Sequence, residues 1–206
     1  MLSMALRQRT LDLHKVAERS GIIALMLRGR ATLRGYGLYL RNLLPCYEAL
    51  EAGLSERAGQ GGAGRLAFAE VNRVAAIRAD LSALEAMALP VLPQAQAHAA
   101  DIRAAAVGDG AGLIGHAYAR TLGDLSGGQI LQRLLGERMG LAGDALAFYR
   151  FPGIADLEGF KLSYRAAIDA AGLEIADVPQ ALNAAEAAFR HTIALSEAVA
   201  ELEERK

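Results

Sequence analysis

The sequence predicts an all-α fold, built as a single domain over residues 1–206. Three observations carry this. Almost every long segment repeats its apolar residues with period 3.6, and no stretch alternates apolar and polar residues over the length of a strand. The chain is 53% hydrophobic with only 5% aromatic residues and no Trp, much of the remainder being the helix former alanine, so a Leu/Ala/Ile core between helices is expected. Glycine and proline collect between the periodic segments, where they punctuate helices.

In order, the first helix is expected over about Leu2–Arg19, with Leu6, Leu13 and Val16 on its apolar face and Gly21 as a stop. A short helix follows with Leu25, Met26 and Leu27. Thr32 is placed to cap a long helix carrying Leu33, Tyr36, Tyr39, Leu40, Leu43, Leu44, Tyr47 and Leu50, with Pro45 expected to kink it or leave a carbonyl unpaired. Residues 58–64, rich in glycine, read as a flexible surface loop. Helices are then expected over about Glu70–Met87 and Gln94–Ala106, separated by Pro90 and Pro93. The glycines at 108–112 lead into a central helix that ends at Gly140–Gly143. A short helix near Ala145–Tyr149 and two long ones, about Asp156–Ala171 and Val178–Glu203, complete the chain, with a charged, frayed tail at 201–206. There is no internal repeat and no dividing linker.

Bulk properties exclude several functions. A net charge of −1 gives no footprint for nucleic acid or an anionic membrane. The longest apolar runs, such as Ile22–Leu27, are too short to span a bilayer. The first residues lack the order of basic segment, apolar run and cleavage site that exports a chain, so a cytoplasmic location is expected. The single cysteine, Cys46, cannot form an internal disulfide and reads as a core thiol.

The central helix holds the most unusual stretch, Gly123-Asp124-Leu125-Ser126-Gly127-Gly128-Gln129, between apolar flanks. Each glycine costs a helix interior about 1 kcal/mol relative to alanine. At 100° per residue Gly123 and Gly127 share a face, as do Asp124 and Gly128, giving a stripe with little bulk and one carboxylate. Such a stripe lets a flat ligand touch the backbone and weakens the helix locally. Asp124 is placed to order water, with Tyr118, Arg120 and Tyr47 as extensions of the network. An aspartate satisfied by backbone N–H groups at a helix bend is the alternative.

His14 has Glu18 one turn on, able to hold one imidazole nitrogen and leave the other for a metal. Arg7 lies on the same face, roughly 10 Å away. One neutral imidazole with a cation two turns off suits a haem, iron on His14 and a propionate on Arg7; from spacing alone, an exposed or capped histidine with an incidental i,i+4 pair is the simpler reading. Lys161 and Arg165, also i,i+4, repel unless an anion joins them, or else form a solvated basic edge. Phe189 reads as core or pocket wall. His116 reads as a core histidine, and His98 and His191 as surface or packing residues without supporting neighbours. No Glu-x-x-His and no His-Glu-x-x-His pattern occurs, against a di-iron or zinc hydrolase site.

Over His116-Ala-Tyr118-Ala-Arg120-Thr-Leu-Gly123-Asp124-Leu-Ser-Gly127-Gly128-Gln129 the chain resembles the haem oxygenases. The likeness extends in register to His14 with Glu18, Tyr47, Phe160-Lys161…Tyr164-Arg165 and Ala188-Phe189. Arg7 stands where the family often has lysine, Thr121 where an aromatic is common, and Leu11 where a further basic residue can occur. The resemblance implies haem b, both cofactor and substrate, between a proximal helix giving His14 as iron ligand and a distal helix giving the glycine stripe. Glu18 would orient His14, and Arg7, Lys161 and Arg165 would meet the propionates. Tyr118 would lie at the haem edge and Phe189 would help line the pocket. Gly123, Gly127 and Gly128 would give access and steering, and Asp124, with Tyr47 and Arg120, would manage protons. It implies oxidation of haem to biliverdin, iron and carbon monoxide, using dioxygen and an electron donor such as ferredoxin or a flavoprotein reductase, by a protein expected to be monomeric. A haem carrier or sensor that leaves haem intact is the alternative.

Overall fold

A computed structural model describes residues 1–141 and 143–204. Among them the secondary structure is entirely helical: α1 Leu2–Ala17, α2 Gly21–Leu27, α3 Leu33–Ser55, α4 Val74–Ala83, α5 Pro93–Ala105, α6 Ala111–Met139, α7 Leu157–Ala171 and α8 Val178–Glu204. Three short 3₁₀ segments lie at Gly62–Leu66, Ala69–Val71 and Gly143–Tyr149.

Helix α6 is central. It runs unbroken through its internal glycines and packs most extensively on α8, which also supports α1, α2 and α5. The close approach of α6 to α8 depends on Gly115, where a Cβ would collide with the Ala181 carbonyl. Gly21, at φ 49°, begins α2 where a side chain would strike the Ser196 carbonyl, so it lets α2 lie against α8 rather than simply stopping α1. One core cluster joins Leu6, Leu50, Leu113, Ile168 and their neighbours; the other joins Met26, Leu40, Leu81, Leu195 and Val199. The few aromatics are concentrated inside: Tyr36, Tyr149, Tyr164 and Phe148 are among the largest fully buried side chains, so the core is not purely aliphatic.

Thr32 caps α3 by accepting the Gly35 N–H at 3.0 Å, and Pro45 sits inside α3 without ending it. The expected helix over 70–87 is shorter. The buried-side carboxylate of Glu51 accepts the N–H groups of Arg73 and Val74 (2.9 Å for Val74), which starts α4 at Val74. At its other end Glu85 adopts φ 51° and Ala86 N–H reaches the Leu81 carbonyl at 2.8 Å, a closing turn that ends the helix. Residues 58–64 are not simply a flexible loop: Ala63 and Gly64 are buried, and the Gly62 N–H donates to Glu174, on the turn after α7, at 2.7 Å. Val16 is not on the buried face of α1; it is 47% exposed, and Leu2, Leu6 and Ala17 are buried instead. The tail stays helical through Glu204, while 205–206 lie outside the described residues, as does 142 in the expected Gly140–Gly143 helix stop. Cys46 is a core thiol, its pKa pushed up to about 12 by burial.

The segment at 143–151 is tied down from two sides. The buried Asp80 carboxylate accepts the N–H of Ala147 at 2.7 Å and of Phe148 at 2.9 Å. The Arg73 guanidinium donates to the carbonyls of Phe148 (3.3 Å) and Arg150 (2.6 Å) and lies 4.2 Å from the centre of the Phe151 ring. These bonds fix Phe148 and Tyr149 beside the second half of α6.

Candidate functional site

Helices α1 and α6 face each other across a cleft floored by α8. Two cavities, of about 810 Å³ and about 960 Å³, share His14, Ala119, Gly123 and Phe189, so they form one continuous slot. His14 projects from α1 with half its side chain exposed, its Nδ1 3.6 Å from Glu18 Oε1 and its ring edge-on to Phe189 at 5.7 Å. On the opposite wall, a Cβ added to Gly123 or Gly127 would meet nothing within 4 Å. Those two glycines therefore open onto the slot. Gly128 differs: a Cβ there would sit 3.1 Å from the Tyr149 ring, so its bareness makes room for Tyr149 as well as lining the slot.

Behind the stripe lies a buried polar network. Tyr47, from α3, donates its hydroxyl to Asp124. Arg120, one turn before Asp124 on α6, donates from Nε at 3.1 Å and Nη2 at 3.0 Å to the same hydroxyl. Its Nη2 also lies 3.5 Å from Asp124 Oδ1, and its Nη1 donates to Thr192 Oγ1 on α8 at 3.2 Å. Asp124 does ion-pair along its own helix, and the pair is nine-tenths buried. Burial raises the Asp124 carboxyl above the usual carboxylate range, only partly offset by the Arg120 charge and the Tyr47 hydrogen bond. Burial likewise pushes the Tyr47 phenol up, against the opposing field of Arg120. The network thus presents the slot with a buried carboxyl group whose oxygens are already shared between Tyr47 and Arg120. Tyr118 is outside it: its hydroxyl lies 3.5 Å from Thr10 Oγ1, at the other end of the slot.

That other end carries the cations. Arg7 and Arg165 line it, along with Tyr118. Lys161 does not. It is buried, its Nζ 2.6 Å from Glu158 Oε1 one turn back.

The histidines expected to be unrelated are neighbours. His98 stacks on His191 at 4.7 Å and 9°, and its ring lies tilted against His116 at 5.6 Å and 42°. Asp101 Oδ2 lies 3.2 Å from His191 Nε2 and 3.6 Å from His116 Nε2. No group of three or more potential ligands among the described residues has a metal-binding arrangement. Burial lowers His98 well below its ordinary pKa, and lowers His116 to about 4.

Sequence reasoning missed Thr192, Tyr39, Phe148 and Tyr149, all of which line the slot. Thr192 was findable, since it lies three residues after Phe189 and so on the same face of α8. Phe148 and Tyr149 were not, because their place is set by Asp80 and Arg73, far away in sequence.

The slot fits a haem. It is bare-backboned on the α6 side, it has an imidazole across it with one nitrogen turned away from Glu18, and Arg7 and Arg165 stand at one end. The family profile described as heme oxygenase matches residues 1–198. The protein named heme oxygenase 1 of Nostoc sp. is 31% identical over 193 residues, covering 91% of this chain and 81% of its own. That of Pongo abelii is 31% identical over 208 residues, covering 98% of this chain and 72% of its own. Among solved structures, heme oxygenase-1 of Synechocystis sp. in complex with heme superposes with TM-score 0.90 at 29% identity, covering 99% of this chain and 93% of that one. Heme oxygenase from Leptospira interrogans gives 0.87 at 29% identity, covering 96% and 98%.

Proposed function

From the premise that this chain belongs to the haem oxygenase family and is an oxidoreductase that degrades haem, we propose that it converts haem b to biliverdin, iron and carbon monoxide in the α1–α6 slot, with His14 as the axial ligand. The observation that carries the reading is the pairing of His14 on one wall with the bare backbone of Gly123 and Gly127 on the other, backed by the buried Asp124–Tyr47–Arg120 network.

When bound, the haem supplies the iron that activates dioxygen and the macrocycle that is oxidised. The chain's own residues do the rest. Glu18, its carboxylate 3.6 Å from His14 Nδ1, orients the ring so that Nε2 is left for the metal. Phe189 limits rotation of the His14 ring. Arg7 and Arg165 pair with the propionates and set which edge of the ring enters deepest; Lys161, held by Glu158, plays no comparable part. Gly123 and Gly127 bring backbone rather than side chains against the opposite face, which leaves room on one side and steers a small ligand to the other. Asp124, fixed by Tyr47 and Arg120, orders water in the slot and through that water manages the protons. A ferredoxin or flavoprotein reductase fits the requirement for electrons. No helix among the described residues is long and apolar enough to cross a membrane, which is consistent with a cytoplasmic place beside such donors.

The test is direct. Hemin added to the protein should shift its Soret band, and an electron donor in air should convert it to a green biliverdin spectrum. A stable haem spectrum through that treatment would identify a carrier instead.

A further inference from the structure

Tyr149 is 2% exposed, lines the slot, and its hydroxyl has no hydrogen-bond partner among the described residues. Three other inward tyrosines are committed. Tyr36 donates to the Ala145 carbonyl at 3.5 Å, Tyr47 to Asp124, and Tyr164 to Thr121 Oγ1 at 3.2 Å. An unpaired buried hydroxyl costs free energy that the same ring without oxygen would not. Packing does not account for it: the ring stacks on Tyr36 at 6.3 Å and meets Phe148 edge-on at 4.8 Å, contacts a phenylalanine would make equally well.

The ring is also held in place with unusual care. Its own carbonyl accepts from Gln129 Nε2 at 2.9 Å, and the flanking backbone is bound by Asp80 and Arg73. On α6, the spot where Gly128 lacks a Cβ is flanked by the Tyr149 ring at 3.1 Å and by Asp124 Cβ at 4.0 Å. Gly128 thus keeps Tyr149 and Asp124 on either side of one bare position, at the wall of the cavity both line.

We propose that the Tyr149 hydroxyl is a second hydrogen-bonding group of the distal cavity, which positions, together with Asp124, the water that serves the haem site. The proposal rests on Asp124 marking the oxygen-binding side of the slot. Tyr149 is a positioning residue: it acts through the water and Asp124. As a phenol pushed far above its ordinary pKa by burial, it keeps its proton at all working pH values and serves only as a neutral hydrogen-bonding group. Proton handling stays with Asp124 and the water it orders.

Tyr149→Phe removes one oxygen and nothing else, so it tests the proposal without disturbing the fold. Three readouts are compared with the parent: the apo melting temperature, hemin affinity, and turnover of hemin with an electron donor. A fourth is the C–O stretching frequency of the carbon monoxide complex, which senses hydrogen-bond donors near a bound diatomic. Expected are unchanged hemin affinity, a lowered apo melting temperature, a shifted C–O stretch, and a rate lowered about fivefold, the effect of losing one ordinary hydrogen bond. Parent-like rate and stretch overturn the proposal, as does a raised apo melting temperature, which is what removing a truly unpaired hydroxyl would give. If the parent itself makes no biliverdin, the functional reading fails, and the apo comparison still decides whether the hydroxyl has a partner in solution.

Discussion

Mild acid should destabilise the apo protein through the histidine cluster, before its surface carboxylates lose their partners. His116 is 1% exposed and its pKa is lowered from 6.5 to about 4, by burial first and by His191 next, with Asp101 opposing. His98, equally buried, shifts the same way through burial and the charges of His116, Arg120 and His191. The groups facing the cluster are therefore Asp101 on α5, Arg120 on α6 and His191 on α8. Depressed histidines bind protons less readily in the folded state than in the unfolded one. Stability is thus intact above pH 6.5 and is lost as pH falls through the window from 6.5 to about 4. For His116 alone, moving from about pH 7.5 to about pH 5 removes about 2 kcal/mol, or about 4–8 °C in melting temperature for a chain of this size. His98 adds in the same direction, and the cluster titrates as a unit.

The assay is thermal or urea unfolding of the apo protein at several pH values across that window, with His116→Gln in parallel. The variant should show a shallower fall because one proton-binding site of the unfolded state is gone. Glu174, lowered to about 2 by its hydrogen bond from Arg65, loses its charge only below that window and does not confuse the result. Burial raises the carboxyls of Asp124 and Glu51, which oppose the trend as they take up protons, so the comparison with His116→Gln decides: equal pH slopes for parent and variant between neutral pH and about pH 5 would refute the reasoning.

The remaining predictions concern the slot. Asp124→Asn should leave hemin affinity near the parent value and lower biliverdin formation by about 10²-fold or more, measured by the rate of appearance of the green product. Gly127→Ala should raise the apo melting temperature by about 2–4 °C, because nothing occupies the space and alanine is the better helix former by about 1 kcal/mol, yet weaken hemin binding in a Soret titration. Gly115→Ala should do the reverse, lowering the melting temperature sharply by forcing α6 from the Ala181 carbonyl on α8. His14→Ala should abolish turnover, and added imidazole should restore part of it; no rescue would count against a simple ligand role.

What was legible in the sequence was whatever a helix writes along its own length. The 3.6-residue period fixed the order of helices, Thr32 announced a cap, and the glycines at 123–128 announced a bare face. What was not legible lies between helices. The start of α4 depends on Glu51 in α3, and the place of Phe148 and Tyr149 depends on Asp80 and Arg73. The three histidines are separated by 18 and 75 residues in sequence and meet only because α5, α6 and α8 pack side by side. Local spacing also left Lys161 open between an outside anion and a solvated edge; Glu158, at i−3, is the partner it has in the fold.

Equal composition therefore conceals unequal roles along α6. Gly115 is bare because α8 is there, Gly128 because Tyr149 is there, and Gly123 and Gly127 because nothing is. Only the last kind points to a ligand, since a helix interior loses stability at such positions and gains no contact with the rest of the chain in return. The same logic applies to the polar residues beside them. Arg120 and Asp124 are satisfied by each other, by Tyr47 and by Thr192, so they could be explained as structure alone. It is their position directly behind two glycines that face empty space, opposite a half-exposed His14, that turns a buried ion pair into part of a reaction site.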